Sequence, residues 1–392
     1  MKIKNTVYLS LILLITSFVT VRQSVAQVPC SPSILPQATL FVNWPQFQYD
    51  SAHTGCNPYE SILKPSTVGG ISKKWAEGAG EASYTSAVVA DGMVYVSLTQ
   101  CCHFIGRSVY ALNASTGAVI WQYGDEAHDQ PFSSPAVASG LVYFGSRDGI
   151  LYALNAKTGA LVWQYGPSGM SFTPTIANGV LYTGSQDTNL YALNAATGAL
   201  IWKVAAGGTA STPAVANGVV YAASNQISAL DAATGALIWQ YPKGGYSPVV
   251  AGGKLYFFSD QLYALNASTG ELVWSYPAVG SGSVAVGTGK LYLAASDNTT
   301  YALNAATGAL IWQHQPQDWL PSSPVVANGV VYVGYMDYFY ALDASTGAPL
   351  ATRSGSDQDW TSAAVANGIV YVGIAGGINN AGALYAFSLA GK

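Results

Sequence analysis

The chain has 392 residues, half of them apolar and only 9% charged, so a large core is available and intrinsic disorder is excluded. Lys and Arg number 15 against 19 Asp and Glu, which leaves no basic face for nucleic acid and no basic run for a lipid surface. The 42 glycines and 26 tyrosines suit many short strands joined by tight turns.

At the N-terminus, Lys2 and Lys4 precede an apolar run from Val7 to Val21, and Ser24-Val25-Ala26 supplies a small-x-small site. This pattern predicts a secretory signal over residues 1–26, cleaved after Ala26. The run is short for a membrane span. Cleavage leaves 12 basic and 19 acidic side chains, because Lys2, Lys4 and Arg22 depart with the signal. The expected product is secreted or periplasmic, with no membrane span.

Further along, the string Tyr-Ala-Leu-Asn-Ala-x-Thr-Gly-x-x-x-Trp recurs at 110–121, 152–163, 191–202, 263–274 and 301–312. A variant with Asp231 runs over 228–239, and another begins at Tyr340 with Asp343 but carries Ala351 where the tryptophan is due. The repeat glycines are spaced 42, 39, 37, 35, 38 and 39 residues apart. In the second period, strand signals at 134–138, 141–146, 150–155 and 160–165 alternate with Ser139-Gly140, Asp148-Gly149 and Thr158-Gly159 turns. Four strands per period of about 40 residues predict propeller blades.

Seven complete periods are followed by three more strands, at 363–366, 369–374 and 384–388. The missing fourth is Ile71-Ser72-Lys73-Lys74-Trp75 near the other end of the chain. The expected fold is all-β: an eight-bladed propeller of four-stranded blades over 71–392, its last blade closed by an N-terminal strand. Residues 27–70 form a leader segment. Ala351 is expected to leave the junction of the seventh and eighth blades less filled than the others, unless Arg353 or Trp360 packs there.

The Ala-Leu-Asn-Ala-x-Thr-Gly-x-x-x-Trp repeat resembles the tryptophan-docking repeat of the PQQ-repeat family. That family is quinoprotein alcohol dehydrogenase-like and BamB-like, and contains enzymes carrying pyrroloquinoline quinone (PQQ) as well as non-enzymatic members. The leader Trp44-Pro45-Gln46-Phe47, with Asp50 and His53-Thr54-Gly55, is similar to the start of many exported members. The resemblance implies two alternatives. One is a non-catalytic exported propeller binding a protein or polymer; the other is a dehydrogenase of alcohols or sugars using PQQ and Ca²⁺.

Sorting the carboxylates by loop places 13 of the 19 on the face formed by the inter-blade loops and the second-to-third strand turns. Glu77 and Glu81 are read as inter-blade. Asp125, Glu126, Asp129, Asp357 and Asp359 lie in segments longer than a hairpin needs, near Phe132, Trp319 and Trp360. Together these eight residues form the candidate ligand-binding face. The Ser-x-Asp hairpins are explained by turn chemistry alone. Hydroxyls of Thr85, Ser133, Thr173, Ser211, Ser247, Ser322 and Thr361 are expected to help line a cup there.

The four cysteines, Cys30, Cys56, Cys101 and Cys102, allow three disulfide connectivities in an exported protein. One makes Cys101–Cys102 a vicinal pair, which resembles in kind an element of quinoprotein alcohol dehydrogenases. The histidines show no metal spacing, and no haem-attachment, nucleophile-elbow or dinucleotide motif is present. No catalytic residue is identified. The expected partner is a protein or polymer in the cell envelope or outside the cell, met by a monomer.

Overall fold

The computed structural model describes residues 43–80, 83–99, 108–124, 133–147, 149–166, 172–208, 211–280, 282–316, 319, 321–355, 359–375 and 382–391. Almost all regular structure in them is strand, arranged as eight antiparallel sheets. The second blade has strands Ala136–Ala138, Leu141–Gly145, Leu151–Asn155 and Leu161–Tyr165, ordered from the axis outward. Blades three to seven repeat this pattern, and the first differs in a split inner strand, Ser83–Tyr84 and Val88–Ala90.

The eighth blade closes the ring as expected. Ile71–Gly80 pairs antiparallel with Gly382–Leu389, outside Ile369–Ile374 and Ala364–Ala366. Glu77, read from sequence as a loop residue, therefore sits in this outer strand opposite Leu384. The outer strand runs on past Trp75 to Gly80, because Gly382–Leu389 is long enough to pair with it over that length.

Each letter of the repeat has a physical task. In the third blade, the Asn194 side chain accepts the backbone N–H groups of Ala196 and Thr197, forming the turn between the third and fourth strands. Gly198 then adopts φ +73°, and a Cβ there would lie 2.7 Å from the Trp163 ring of the preceding blade. Only glycine meets both demands. Trp163 in turn donates its indole N–H to the Ala195 carbonyl, 3.0 Å away. The same indole-to-alanine bond joins the blades at Trp75, Trp121, Trp202, Trp239, Trp274 and Trp312.

The seventh-to-eighth junction lacks that tryptophan, yet it is not underfilled. Trp360 packs between the two blades, 5.5 Å from Phe339 and 5.8 Å from Tyr385 between ring centroids. Leu63 and Val68 of the leader share the same core cluster with Ala351 and Tyr332. The Arg353 guanidinium also donates to the Ile71 carbonyl. Both residues anticipated from sequence are at the junction: Trp360 packs between the blades and Arg353 reaches across them. The buried Tyr332 hydroxyl has no hydrogen-bond partner, as is also true of Tyr143 in the second blade, whose junction keeps Trp163, whereas Tyr292 in the sixth blade bonds the Ala344 carbonyl.

Candidate functional site: a threaded channel and its two mouths

An innermost propeller strand presents unpaired backbone groups to the axis, and an unpaired buried amide is costly. The leader satisfies them blade by blade. Trp44 exchanges two backbone bonds of 2.7 Å with Val89 of the first blade, and the Pro45 carbonyl accepts from Val137 of the second. The Gln46 side chain bonds both backbone groups of Ile176 in the third. Carbonyls of Ser51, Ala52, Thr54 and Gly55 then accept from Val215, Val250, Val286 and Val326 in the fourth to seventh blades. Cys56–Asn57 adds a short parallel strand to the seventh, and Asn57 donates to the Val365 carbonyl of the eighth.

Turning inside so narrow a space demands unusual backbone. Gln48, Tyr49 and His53 all have positive φ, a conformation that nonglycine residues rarely adopt. Local bonds hold it: the Asp50 carboxylate accepts from the Thr54 amide (2.9 Å) and hydroxyl (2.7 Å). Burial pushes the Asp50 carboxyl up to about 6. His53 sits 3.2 Å from the Pro248 carbonyl and 3.0 Å from the Thr175 hydroxyl, and burial lowers its imidazole to about 4. Glu60 anchors the exit, accepting from the amides of Ile62, Leu63 and Gly368.

Beside the leader, the face carrying the first-to-second strand hairpins opens into a cavity of about 1440 Å³. Tyr49, Cys56 and Tyr59 of the leader and Val180, Asn217 and Lys254 of the blades are among its lining. Cys56 there is disulfide-bonded and 3% exposed. The sequence marked the leader motif but not its axial course. Its signal was available as polar residues (Gln46, Asp50, His53, Asn57, Glu60) in a segment that follows no blade period.

The opposite mouth carries the face singled out from sequence. Asp125, Glu126, Asp129, Phe132, Asp357, Cys101 and Cys102 lie outside the described residues. Asp359 is exposed there, and Trp319 is 67% exposed. Trp360 is a correction: at 4% exposure it is a core side chain between blades, not a rim aromatic. Most of the cup hydroxyls that the structure describes also have structural work. Ser133, Ser322 and Thr361 accept the amides of Gly145, Gly334 and Gly373, and Thr85 that of Ser97. These bonds tie the approach to the first strand onto the second. Asp187 and Asp297 accept from Tyr191 and Tyr301, and Asp260 pairs with Lys243 at 2.5 Å, in line with the turn reading of those hairpins.

A family model described as outer membrane protein assembly factor BamB, built on the PQQ-type repeat, matches residues 72–173, 166–277, 223–364 and 301–390. The chain belongs to this PQQ-repeat family. No curated protein sequence matches it. Among solved structures, this PQQ-repeat propeller is similar to the quinohemoprotein alcohol dehydrogenase of Comamonas testosteroni (TM-score 0.73, 17% identity), over 90% of this chain and 81% of that one. It is also similar to BamB of Moraxella catarrhalis (TM-score 0.64, 18% identity, 81% of this chain and 99% of that one). A third likeness is to a europium-containing methanol dehydrogenase (TM-score 0.73, 14% identity, 88% and 98%).

The described residues of the hairpin-face cavity do not fit a calcium–quinone pair. Asp50 holds its carboxylate on Thr54, and Asp231 spends one oxygen on Ala233 and both donors of Thr234. Calcium needs six to eight oxygen ligands, several of them ionised. Among the described residues, no three His, Cys, Asp or Glu side chains cluster to hold a metal.

Proposed function

We propose that this PQQ-repeat propeller is a non-catalytic exported scaffold that binds a protein or polymer partner of the cell envelope, or outside the cell, through its loop face. One observation carries the reading: Trp319 stands 67% exposed on that face. Tyr246, Val279 and Tyr338 of the fifth to seventh blades are also exposed. Exposed aromatics mark interaction sites, with Trp and Tyr as the usual anchors. The acidic segments read from sequence around Asp125, Glu126, Asp129, Asp357 and Asp359 suit a basic partner. The family's printed description, an outer membrane protein assembly factor, supports a protein in the envelope as that partner. The threaded leader supports a structural rather than chemical use of the axis.

The test is recovery of a partner from an envelope fraction at low and moderate salt. Trp319→Ala should reduce recovery by roughly tenfold or more, as loss of an anchor does. Undiminished recovery with Trp319→Ala, and with alanine at all five acids, would remove the loop face from consideration. The likeness to quinohemoprotein alcohol dehydrogenase favours a second reading, a PQQ- and Ca²⁺-dependent dehydrogenase of alcohols or sugars. Dye reduction across an alcohol and sugar panel with added PQQ and Ca²⁺ separates the two.

A further inference from the structure

A short segment leads from the loop face into the inner strand of each blade, and the fifth blade departs from the rule the others keep. In four blades the residue facing the loop-face end of the second strand carries a hydroxyl that accepts the amide across from it. Thr85 accepts from Ser97, Ser133 from Gly145, Ser322 from Gly334 and Thr361 from Gly373. In the fifth blade this place, opposite Phe258, is held by Tyr246. Its hydroxyl sits at the far end of a rigid ring and cannot fold back onto the facing amide, so that bond is given up. The ring stands 59% exposed instead.

The backbone around Tyr246 is specialised to hold it there. Ser247 has φ +44°, a left-handed conformation that serine rarely adopts, whereas the matching Ser86, Ser134, Ser323 and Ser362 do not adopt it. Before the ring, a Cβ at Gly244 would lie 2.4 Å from the Ser224 carbonyl oxygen, and one at Gly245 would lie 2.4 Å from the Phe257 ring. The Gly245 amide also donates to Ser224 of the fourth blade. Backbone strain and a forfeited hydrogen bond, spent on presenting one ring to solvent, are marks of a functional position.

Polar groups accompany the ring along the segment and across the strand pair. Lys243 donates to Asp260 and to the Tyr263 hydroxyl, which in turn donates to Asp260. Gln261 donates to the same hydroxyl. The Lys243 and Asp260 side chains remain 39% and 63% exposed, so their charges cancel while both keep hydrogen-bonding capacity toward solvent. A flat ring beside such a set is complementary to an uncharged sugar. The C–H face of a pyranose stacks on an aromatic ring, and its hydroxyls donate and accept at once. A protein anchor fits less well, because hot-spot rings lie in a desolvated centre, where Lys243 and Asp260 would lose water with no hydroxyls to replace it.

We propose that Tyr246, with Lys243, Asp260 and Gln261, forms a subsite for a neutral polysaccharide. This rests on the loop-face reading above and specifies its partner as a polymer of uncharged sugars.

Affinity electrophoresis in native gels containing dextran, hydroxyethylcellulose, galactomannan or arabinoxylan tests the subsite. At least one polymer should retard the parent chain. Tyr246→Ala should weaken that affinity roughly tenfold or more, and Tyr246→Trp should keep it. Tyr246→Ser restores the hydroxyl of the other blades, so it should lose the retardation yet melt at the parent temperature or above. A lower melting temperature for Tyr246→Ser would make the ring structural and overturn the assignment. So would equal retardation of the parent and Tyr246→Ala, or no retardation by any of the four polymers. If no polymer retards the chain but an envelope protein is recovered in a Trp319-dependent way, the sugar fails and the loop face stands. If recovery is also indifferent to Trp319→Ala and to the five acids, both readings fail.

Discussion

At the scale of single residues, the blade tryptophans bear on packing, and Asp50 and His53 of the leader bear on the response to pH. Trp202 is buried between blades and donates to Ala232, so Trp202→Ala should cost roughly 3–5 kcal/mol in denaturant unfolding. Ala351→Trp should also destabilise, because Trp360, Leu63 and Val68 already occupy its neighbourhood and overpacking typically costs about 1–3 kcal/mol. A stabilised Ala351→Trp variant would mean the junction holds unused space. For the leader, His53 and Asp50 pull in contrary directions with pH. His53 titrates near 4 in the folded chain, below its ordinary 6.5, so its contribution is full above pH 6.5 and is lost as pH falls toward 4. Asp50 is raised from 3.8 to about 6; its contribution is present below pH 3.8 and is lost as pH rises through 6. Between pH 6.5 and 4 the two largely offset each other. Asp50→Asn should therefore expose the His53 slope, with stability falling on acidification by about 1–3 kcal/mol more than in the parent. Parallel pH profiles for the two proteins would contradict this.

At the scale of elements, the closing strand and the threading leader were legible to different degrees. The first half of Ile71–Gly80, Ile71 to Trp75, could be assigned because Trp75 carries the docking signature of the blades and because the last period lacked a strand. The leader's route could not. Its bonds run mainly from its backbone carbonyls to the backbone amides of successive blades, and backbone groups leave no side-chain code. The Ser-x-Asp carboxylates illustrate a related limit, since a turn-forming aspartate and a ligand-binding one look alike in sequence. Trp360 misled for a physical reason as well: its place at the start of a first strand suggested the rim, but it packs close on Gly334 of the seventh blade, as Tyr84 packs on Gly373 of the eighth, and both rings are buried between blades. The leader's role predicts slow amide exchange at Val137, Val215, Val250, Val286 and Val326. Deleting residues 43–60 should accelerate exchange at all five by orders of magnitude, while outer-strand amides such as those of Leu161–Tyr165 change far less. Acceleration confined to one or two blades would show that the leader does not serve the whole ring.

At the scale of the whole molecule, repeats that touch only their neighbours behave as a nearly one-dimensional array, and such arrays can lose cooperativity in unfolding. Two features of this chain oppose that tendency. The pairing of Ile71–Gly80 with Gly382–Leu389 makes the array a closed ring, so no terminal blade can fray alone. The leader then touches every blade from the axis, coupling those that share no interface: Gln46 reaches the third and Asn57 the eighth. Deleting residues 68–75 opens the ring but leaves the axial bonds, and should lower stability by several kcal/mol or cause aggregation through the exposed edge. Deleting 43–60 does the reverse, leaving the ring closed and the blades coupled only to neighbours. The parent chain should unfold in one transition, with calorimetric and van't Hoff enthalpies in agreement. The 43–60 deletion should broaden that transition or divide it, the van't Hoff value falling below the calorimetric one. If the deletion instead keeps one sharp transition at a lower temperature, nearest-neighbour docking by the tryptophans is enough to make the ring cooperative, and the leader adds stability without coupling.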